Sequence, residues 1–100
     1  MAIQYTLAKV ANQTFTVNIG SVRYDIELKN IGQFMEATIK RNSIPVVSGF
    51  RVVTGQVLMP YSNFGGNFIF ISDNDDIVTF NQFGVSQFFR WLDDEELAAL

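Results

Sequence analysis

Apolar and polar residues alternate with a period of two along much of the chain, and this pattern limits the fold more than any other feature. Residues 14–19 alternate strictly, and the pattern resumes over residues 22–29 after Gly20-Ser21. Successive side chains of a β-strand point to opposite faces of a sheet, so a half-buried strand has this periodicity. Two such runs separated by a Gly-Ser pair predict a β-hairpin with a tight turn.

Further strands are predicted wherever apolar runs resume between turn residues. We predict them over residues 35–40, 44–52, 57–59, 67–72, 77–80 and 86–92. Pro45 cannot donate a ladder hydrogen bond, so it belongs at a strand start or on a sheet edge. Residues 67–72 are apolar on both faces, which predicts a strand that the chain or a partner covers on both sides. Turn signals every ~8–12 residues predict an all-β fold, either a small antiparallel β-sandwich or a partly open β-barrel.

The length of 100 residues allows one hydrophobic core. Apolar residues make up 48% of the chain and charged residues 17%, a balance typical of folded proteins. We assign residues 1–92 to one β domain and residues 93–100 to an acidic C-terminal tail. The tail carries four acidic residues followed by Leu-Ala-Ala-Leu, which favours a short helix because acidic side chains stabilise a first helical turn.

Histidine and cysteine are both absent from the sequence, which excludes disulfides, thiolate nucleophiles, Ser-His-Asp triads and His-ligated metals. The first residues do not resemble a secretory signal, and no apolar run approaches the ~20 residues that span a bilayer. We therefore expect a soluble chain made in the cytosol.

Charge is distributed unevenly along the chain, whose net charge is −3. Residues 1–51 carry six basic and three acidic residues, whereas residues 52–100 carry one basic and seven acidic residues. The two halves either neutralise each other within the fold or form faces of opposite sign that orient docking. No basic footprint of a nucleic-acid-binding protein is present, so direct nucleic-acid binding is not expected.

Three local patterns resemble functional motifs only superficially. Residues 73–76 lack the later glycine and glutamate of an EF-hand, so we interpret them as a solvated turn. Gly65-Gly66 lacks the lysine and hydroxyl residue of a phosphate-binding loop and is interpreted as a turn. The carboxylates of residues 93–96 are adjacent along the chain rather than opposed across a pocket, and they are expected to be solvated. We therefore expect no enzyme activity, no metal and no cofactor.

Aromatic residues are concentrated in the second half, with eight between positions 64 and 91. Neighbours on one strand face opposite sides, so Phe88 and Phe89 cannot both point inward. Surplus exposed aromatic surface marks an interface, and aromatic residues dominate interface energetics. The residues expected at a partner interface are Phe64, Phe68, Phe70, Phe88, Phe89 and Trp91.

Seven short segments, in order, resemble one known family. They are QTFTV at 13–17, Gly20, YDIEL at 24–28, GFR at 49–51, VLMPY at 57–61, GNF at 66–68 and FGVSQ at 83–87. This order is similar to that of the small baseplate plug proteins of contractile-tailed bacteriophages, best represented by a cyanophage with a simple baseplate. The likeness covers roughly residues 3–92.

The resemblance implies a structural role in the virion without enzyme activity or a small-molecule substrate. Such a plug would sit at the tail tip in several symmetric copies, packed against the baseplate hub and the tail-tube initiator, after assembly in the host cytoplasm. The resemblance also marks a set of residues as fold-defining: Gln13, Phe15, Gly20, Leu58, Pro60, Tyr61, Gly66, Phe83 and Gly84.

A second hypothesis is a small β-sandwich module that binds a carbohydrate or a peptide. Trp91, Tyr61 or Tyr24 would then form an exposed aromatic groove on a soluble monomer. A fragment of a β-barrel enzyme is a third, weaker alternative, because no catalytic motif supports it.

Overall fold

The structure is a computed structural model that describes residues 2–73 and 77–100. Within those ranges the elements, in chain order, are β1 (Ile3–Tyr5), β2 (Gln13–Ile19), β3 (Val22–Ile31), β4 (Phe34–Arg41), β5 (Ile44–Arg51), β6 (Gly66–Ser72), a 3-10 helix (Phe80–Gln82), β7 (Gln87–Asp93) and α1 (Asp94–Ala98).

The strands form two antiparallel sheets, which confirms the predicted all-β sandwich. The larger sheet has the order β2-β3-β4-β5, and the smaller sheet has the order β1-β7-β6. In the described residues the sheets do not close into a barrel. The short C-terminal helix is also present and contacts β6 and β7.

The predicted hairpin is confirmed as β2 and β3, with Ile19 paired to Val22 across the turn. Gly20 has a φ of +61°, in the left-handed region that tight hairpin turns require. The tight turn Asn42-Ser43 between β4 and β5 also has positive φ values, of 49° and 69°. Asn tolerates this region better than most residues because its side chain bonds locally. The Asn42 side-chain oxygen indeed accepts a hydrogen bond from the backbone N–H of Arg23 at 3.0 Å.

The hydrophobic core lies between the inner faces of the two sheets. Alternate residues of β3 and β4 are buried from the larger sheet, as the period of two predicts. Aromatic contacts join the layers, because the Tyr24 ring of β3 lies 5.1 Å from the Phe68 ring of β6. The Phe15 ring of β2 meets the Phe89 ring of β7 edge-on at 5.8 Å.

The two-sided burial predicted for residues 67–72 is found in β6 over residues 67–70, and the chain itself supplies the cover. Phe68 and Phe70 face the core between the sheets. Ile69 faces the other side and is only 1% exposed. It lines a surface groove together with Leu97 and Leu100 of the C-terminal segment.

Two predicted strands are wrong. Residues 57–59 make only an isolated bridge from Val57 to Ile69, because Pro60 prevents the ladder from continuing. Residues 77–79 lie outside any regular element, and Phe80 begins the 3-10 helix. Pro45 does lie on a sheet edge, in the second position of β5. β1 was not predicted, because three residues are too few to show a period.

Candidate interaction surface

Four of the six aromatic residues expected at a partner interface belong instead to the core of this chain. Phe68, Phe70 and Phe89 are at most 1% exposed, and Trp91 is 5% exposed. The prediction is therefore wrong for these four as exposed contact residues. The prediction assumed that the clustered aromatic rings would leave surplus aromatic surface exposed.

The rings fit because they pack on one another from both sheets. Phe68 is the centre, with ring centroids of Tyr24, Phe89 and Trp91 at 5.1, 5.3 and 5.0 Å. The Phe68 and Phe89 rings stack with an interplanar angle of 4°, while Tyr24 meets Phe68 edge-on. Stacked and edge-on pairs are both favourable ring geometries, so a core rich in phenylalanine forms without a partner.

Phe64 and Phe88 are the two predicted interface residues that stay partly exposed. Phe88 points away from the core while its neighbour Phe89 points into it, as the strand period requires. The guanidinium of Arg41 lies 4.3 Å from the centre of the Phe64 ring, and that of Arg90 lies 5.9 Å from the Phe88 ring. Each of the two rings therefore has an arginine guanidinium within 6 Å of its centre.

Residues singled out as fold-defining occupy turns and buried positions in most cases. Gly20 and Gly84 have positive φ, and Leu58 and Phe83 are buried. Gly66 has a steric role, because a Cβ there would lie 2.6 Å from the Leu92 carbonyl oxygen and the Trp91 ring. The other four are placed as follows: Phe15 packs partly buried against the core, the Gln13 side chain donates to the Ala8 carbonyl, and Pro60 and Tyr61 are exposed.

Sequence reasoning missed two buried amides that fix the irregular loops to the sheets. The Asn67 side chain accepts a hydrogen bond from the Met59 N–H and donates one to the Met59 carbonyl. The Gln87 side chain accepts from the Thr79 N–H and donates to the Ile77 carbonyl. Asn67 thus gives residues 57–59, and Gln87 gives residues 77–79, hydrogen bonds that a neighbouring strand would otherwise have made. The sequence did offer a signal for these two contacts, because Asn67 and Gln87 are polar residues within the apolar runs at 66–71 and 85–92.

An apolar opening on the surface lies at the β4–β5 turn, and we call it the Arg41–Tyr61 groove. It has a volume of about 330 Å³ and lies between the start of β5 and the loop that precedes β6. Its lining consists of Arg41, Ile44, Pro45, Val46, Val47, Met59, Tyr61, Ser62 and Phe64. Tyr61 is fully exposed, and Ile44 is 68% exposed.

Arg41 gives the groove its one cationic side chain. The Arg41 Nε is buried and has no hydrogen-bond partner in the described part of the chain. Its guanidinium lies over the Phe64 ring, which compensates part of the lost hydration by a cation–π contact. The guanidinium is therefore held in place beside an apolar lining, where a carboxylate or carbonyl oxygen of a partner could accept hydrogen bonds from it.

A second exposed apolar pair lies at the opposite end of the larger sheet. Ile31 and Phe34 flank the β3–β4 turn and are 49% and 37% exposed. The Arg51 guanidinium lies 3.7 Å from the centre of the Phe34 ring. Both ends of this sheet therefore carry an arginine over a phenylalanine, and the β4–β5 end also borders the Arg41–Tyr61 groove.

Oppositely charged side chains pair with each other along β3, and acidic side chains cluster at the start of α1. Ion pairs join Arg23 to Asp25 at 3.0 Å and Lys29 to Glu27 at 3.7 Å, both within β3. Acidic side chains from residues 94–96 form the first turn of α1. The Asp93 carboxylate accepts from the Glu96 N–H and the Glu96 carboxylate accepts from the Asp93 N–H, a capping box that fixes the helix start.

The hydroxyl of Thr16 and the guanidinium of Arg23 both donate to the Asp25 carboxylate, at 2.8 and 3.0 Å. These hydrogen bonds, the Thr16 bond being the larger influence, hold the pKa of Asp25 below its ordinary value. Asp25 therefore stays ionised on the polar outer face of the larger sheet. Its role there is to bind its own sheet neighbours.

Catalytic and ligand-binding alternatives find little support in the geometry. Within residues 2–73 and 77–100, no group of three or more acidic side chains is arranged to hold a metal ion. The calcium-like segment 73–76 lies largely outside the described residues. Trp91 and Tyr24 are buried, so they cannot form the aromatic groove of a carbohydrate-binding module, and only Tyr61 is exposed. None of the described helices is long and apolar enough to cross a membrane.

Comparison with known proteins identifies the family. The chain matches the family model described as the cyanophage baseplate Pam3 plug gp18 over residues 2–95. A search of curated proteins found no match. The matched region spans both sheets, all the residues lining the Arg41–Tyr61 groove and the start of α1. The chain therefore belongs to the phage baseplate plug family and is a structural component of a phage tail.

Proposed function

We propose that the chain acts as a plug at the tail tip, packed against the baseplate hub and the tail-tube initiator. Several symmetric copies would contribute to each tail after assembly in the host cytoplasm. The observation that carries the proposal is the family match, which covers the complete sandwich rather than one segment of it. The role is mechanical: the chain binds other proteins and catalyses no reaction.

The Arg41–Tyr61 groove is the surface that best fits such a contact. Binding energy at protein interfaces is concentrated in a few residues, with tyrosine and arginine enriched among them. The groove brings a fully exposed tyrosine, a largely exposed isoleucine and an immobilised arginine together around about 330 Å³. Outside the groove, six aromatic side chains are buried, five are partly buried and Phe34 is 37% exposed, so few alternatives remain on the described surface.

Two different forces would act in this groove. Removing apolar surface from water stabilises the contact by roughly 25 cal/mol per Å², before the costs of association are subtracted. Arg41 would fix the orientation of the partner, because its guanidinium needs an acceptor in a defined direction. The contact therefore requires a partner segment with an apolar side chain followed closely by a carboxylate or carbonyl oxygen.

The proposal is tested by complementing tail assembly with variants of this chain. Tyr61→Asp should lower the amount of the chain per purified tail at least tenfold, measured by quantitative mass spectrometry. Gln33→Asp is the matched control, because Gln33 is also exposed and lies at the opposite end of the sheet. Both variants should unfold at the same denaturant concentration as the parent. Equal incorporation of the two variants would exclude the groove as the docking surface.

The position at the tail tip has its own test. A cryo-EM map of the assembled tail should show density for this sandwich in contact with both the hub and the tube initiator. Density at the outer rim of the baseplate, with no contact to either protein, would contradict the proposed position but not the family membership.

A further inference from the structure

The two sheets have four edges, and three of them are protected against pairing with another strand. β1 contains only three residues. The free side of β6 is occupied by residues 55–58, since the N–H groups of Gly55 and Leu58 donate to the Phe70 and Phe68 carbonyls. β5 contains Pro45 and Gly49, and its pairing with β4 is interrupted by shifts in register. Short strands, proline, bulges and covering segments are the usual means of blocking edges.

The fourth edge, β2, has none of these features. It is seven residues long, contains no charged residue and no proline, and pairs with β3 in one unbroken register. Positive φ values do not occur within it. Backbone groups outside β3 make no hydrogen bond to it in the described part of the chain. A long, regular and uncharged edge is the kind that pairs with a further strand.

The backbone groups that face this open edge can be identified. Ile19 and Val22 close a two-residue turn, in which the first residue accepts a hydrogen bond from the fourth. Hydrogen-bonded and non-bonded pairs alternate along an antiparallel ladder, so Asn18, opposite Arg23, is directed outward. The Arg23 N–H and carbonyl confirm this, because both bond to Asn42 on the β4 side. The outward residues are therefore Thr14, Thr16 and Asn18.

We propose that β2 pairs with β2 of a second copy of this chain, antiparallel about a two-fold axis at Thr16. A two-fold axis perpendicular to the sheet keeps each side chain on the same face of the sheet. Directly opposed residues of antiparallel strands also point to the same face, so the axis must lie beside a residue that is paired with its own copy. Centring it on Thr16 pairs all seven residues, whereas a centre at Phe15 or Val17 pairs fewer. Thr16 then lies opposite Thr16 of the second copy, and Thr14 lies opposite Asn18. In this register all the outward N–H and carbonyl groups of β2 form hydrogen bonds between the two copies.

A second copy suits this edge better than an unrelated strand. The pairing closes at two chains, because each copy contributes its one unprotected edge and presents only protected edges afterwards. Charged residues of the two β3 strands would lie about 14 Å apart across three strand spacings, beyond the ~8 Å screening length in physiological salt. Phe15 and Ile19 are only partly buried beside this edge, and the second copy would cover them.

Disulfide trapping tests the pairing, because the natural chain contains no cysteine. Opposed residues in an antiparallel bonded pair have Cα atoms about 5.5 Å apart, within the range of a disulfide. Thr16→Cys should therefore form a covalent dimer under mild oxidation. Asn18→Cys should not, since the two Asn18 positions would be separated by about 14 Å along the strands. A mixture of Thr14→Cys and Asn18→Cys should give the mixed dimer.

The controls separate specific pairing from random collision. Ser48→Cys places a thiol on the exposed but protected β5 edge and should cross-link at least tenfold more slowly than Thr16→Cys. We expect the parent chain to form a concentration-dependent dimer in sedimentation. Thr16→Pro, which removes an outward N–H, should abolish that dimer while the far-ultraviolet circular dichroism stays β-like. Cross-linking of Ser48→Cys at the rate of Thr16→Cys, or a monomer at all concentrations, would overturn the pairing. Either result leaves the role as a baseplate plug untouched.

Discussion

Replacing Phe68 by alanine tests whether the aromatic cluster is a self-sufficient core. The Phe68 side chain is completely buried and contacts the rings of Tyr5, Tyr24, Phe89 and Trp91. Phenylalanine-to-alanine changes in well-packed cores cost about 3–5 kcal/mol, from lost transfer energy and the cavity left behind. The position lies at the centre of the cluster, so we expect about 4 kcal/mol. That is a large share of the roughly 5–15 kcal/mol stability of a small domain.

Urea unfolding of the isolated chain, followed by tryptophan fluorescence, measures this change. With a slope of about 2 kcal/mol per M, the midpoint should fall by about 2 M. Phe88→Ala on the same strand pair is the matched control, because Phe88 faces outward and its loss should cost only about 1 kcal/mol. Similar midpoints for the two variants would refute the reasoning. They would mean that Phe68 is not packed by its own chain and that the cluster needs a partner.

Two further predictions concern backbone space and pH. Gly66→Ala should destabilise the chain by about 3 kcal/mol in the same urea assay, because its Cβ would meet the Leu92 carbonyl and the Trp91 ring. Gly65→Asn, next to it in open space, should cost about 1 kcal/mol, and an equal loss would disprove the clash. For Asp25, the lowered folded-state pKa means that its stabilisation is present above about pH 4 and lost as the pH falls through the folded-state pKa. The stability difference between the parent and Asp25→Asn should therefore shrink below pH 4, and a difference independent of pH would contradict the hydrogen-bonded carboxylate.

The regular part of the fold was predictable because local pattern and tertiary burial agree there. Strands β2 to β5 alternate so regularly that one face must be buried, and the hairpin turn is set by Gly20. The strand at 67–72 was also predictable from its length and the glycines before it. The assignment of these strands does not depend on any single residue, since the period of two extends over many positions.

The irregular segments were not predictable, because distant side chains determine them. Residues 57–59 and 77–80 have the composition of strands, yet Asn67 and Gln87 supply the hydrogen bonds that a neighbouring strand would have made. The prediction of which aromatic residues are exposed was wrong for a related reason. Composition reports how many rings exist, but whether Phe68 and Trp91 face inward depends on how two sheets stack, which no local window contains.

The proposed contacts use opposite edges of one sheet, which lets a single chain make both of them. β2 and β5 are separated by β3 and β4, a distance of about 14 Å at ordinary strand spacing. Pairing through β2 would extend the larger sheet sideways and leave the Arg41–Tyr61 groove beside β5 open. A second copy and a different baseplate protein could therefore bind together without competing for backbone or side-chain groups. The core is tightly packed with aromatic rings, so we expect the sandwich to be rigid. A rigid sandwich keeps the β2 edge and the Arg41–Tyr61 groove in a fixed relative position, which allows both contacts to form at the same time.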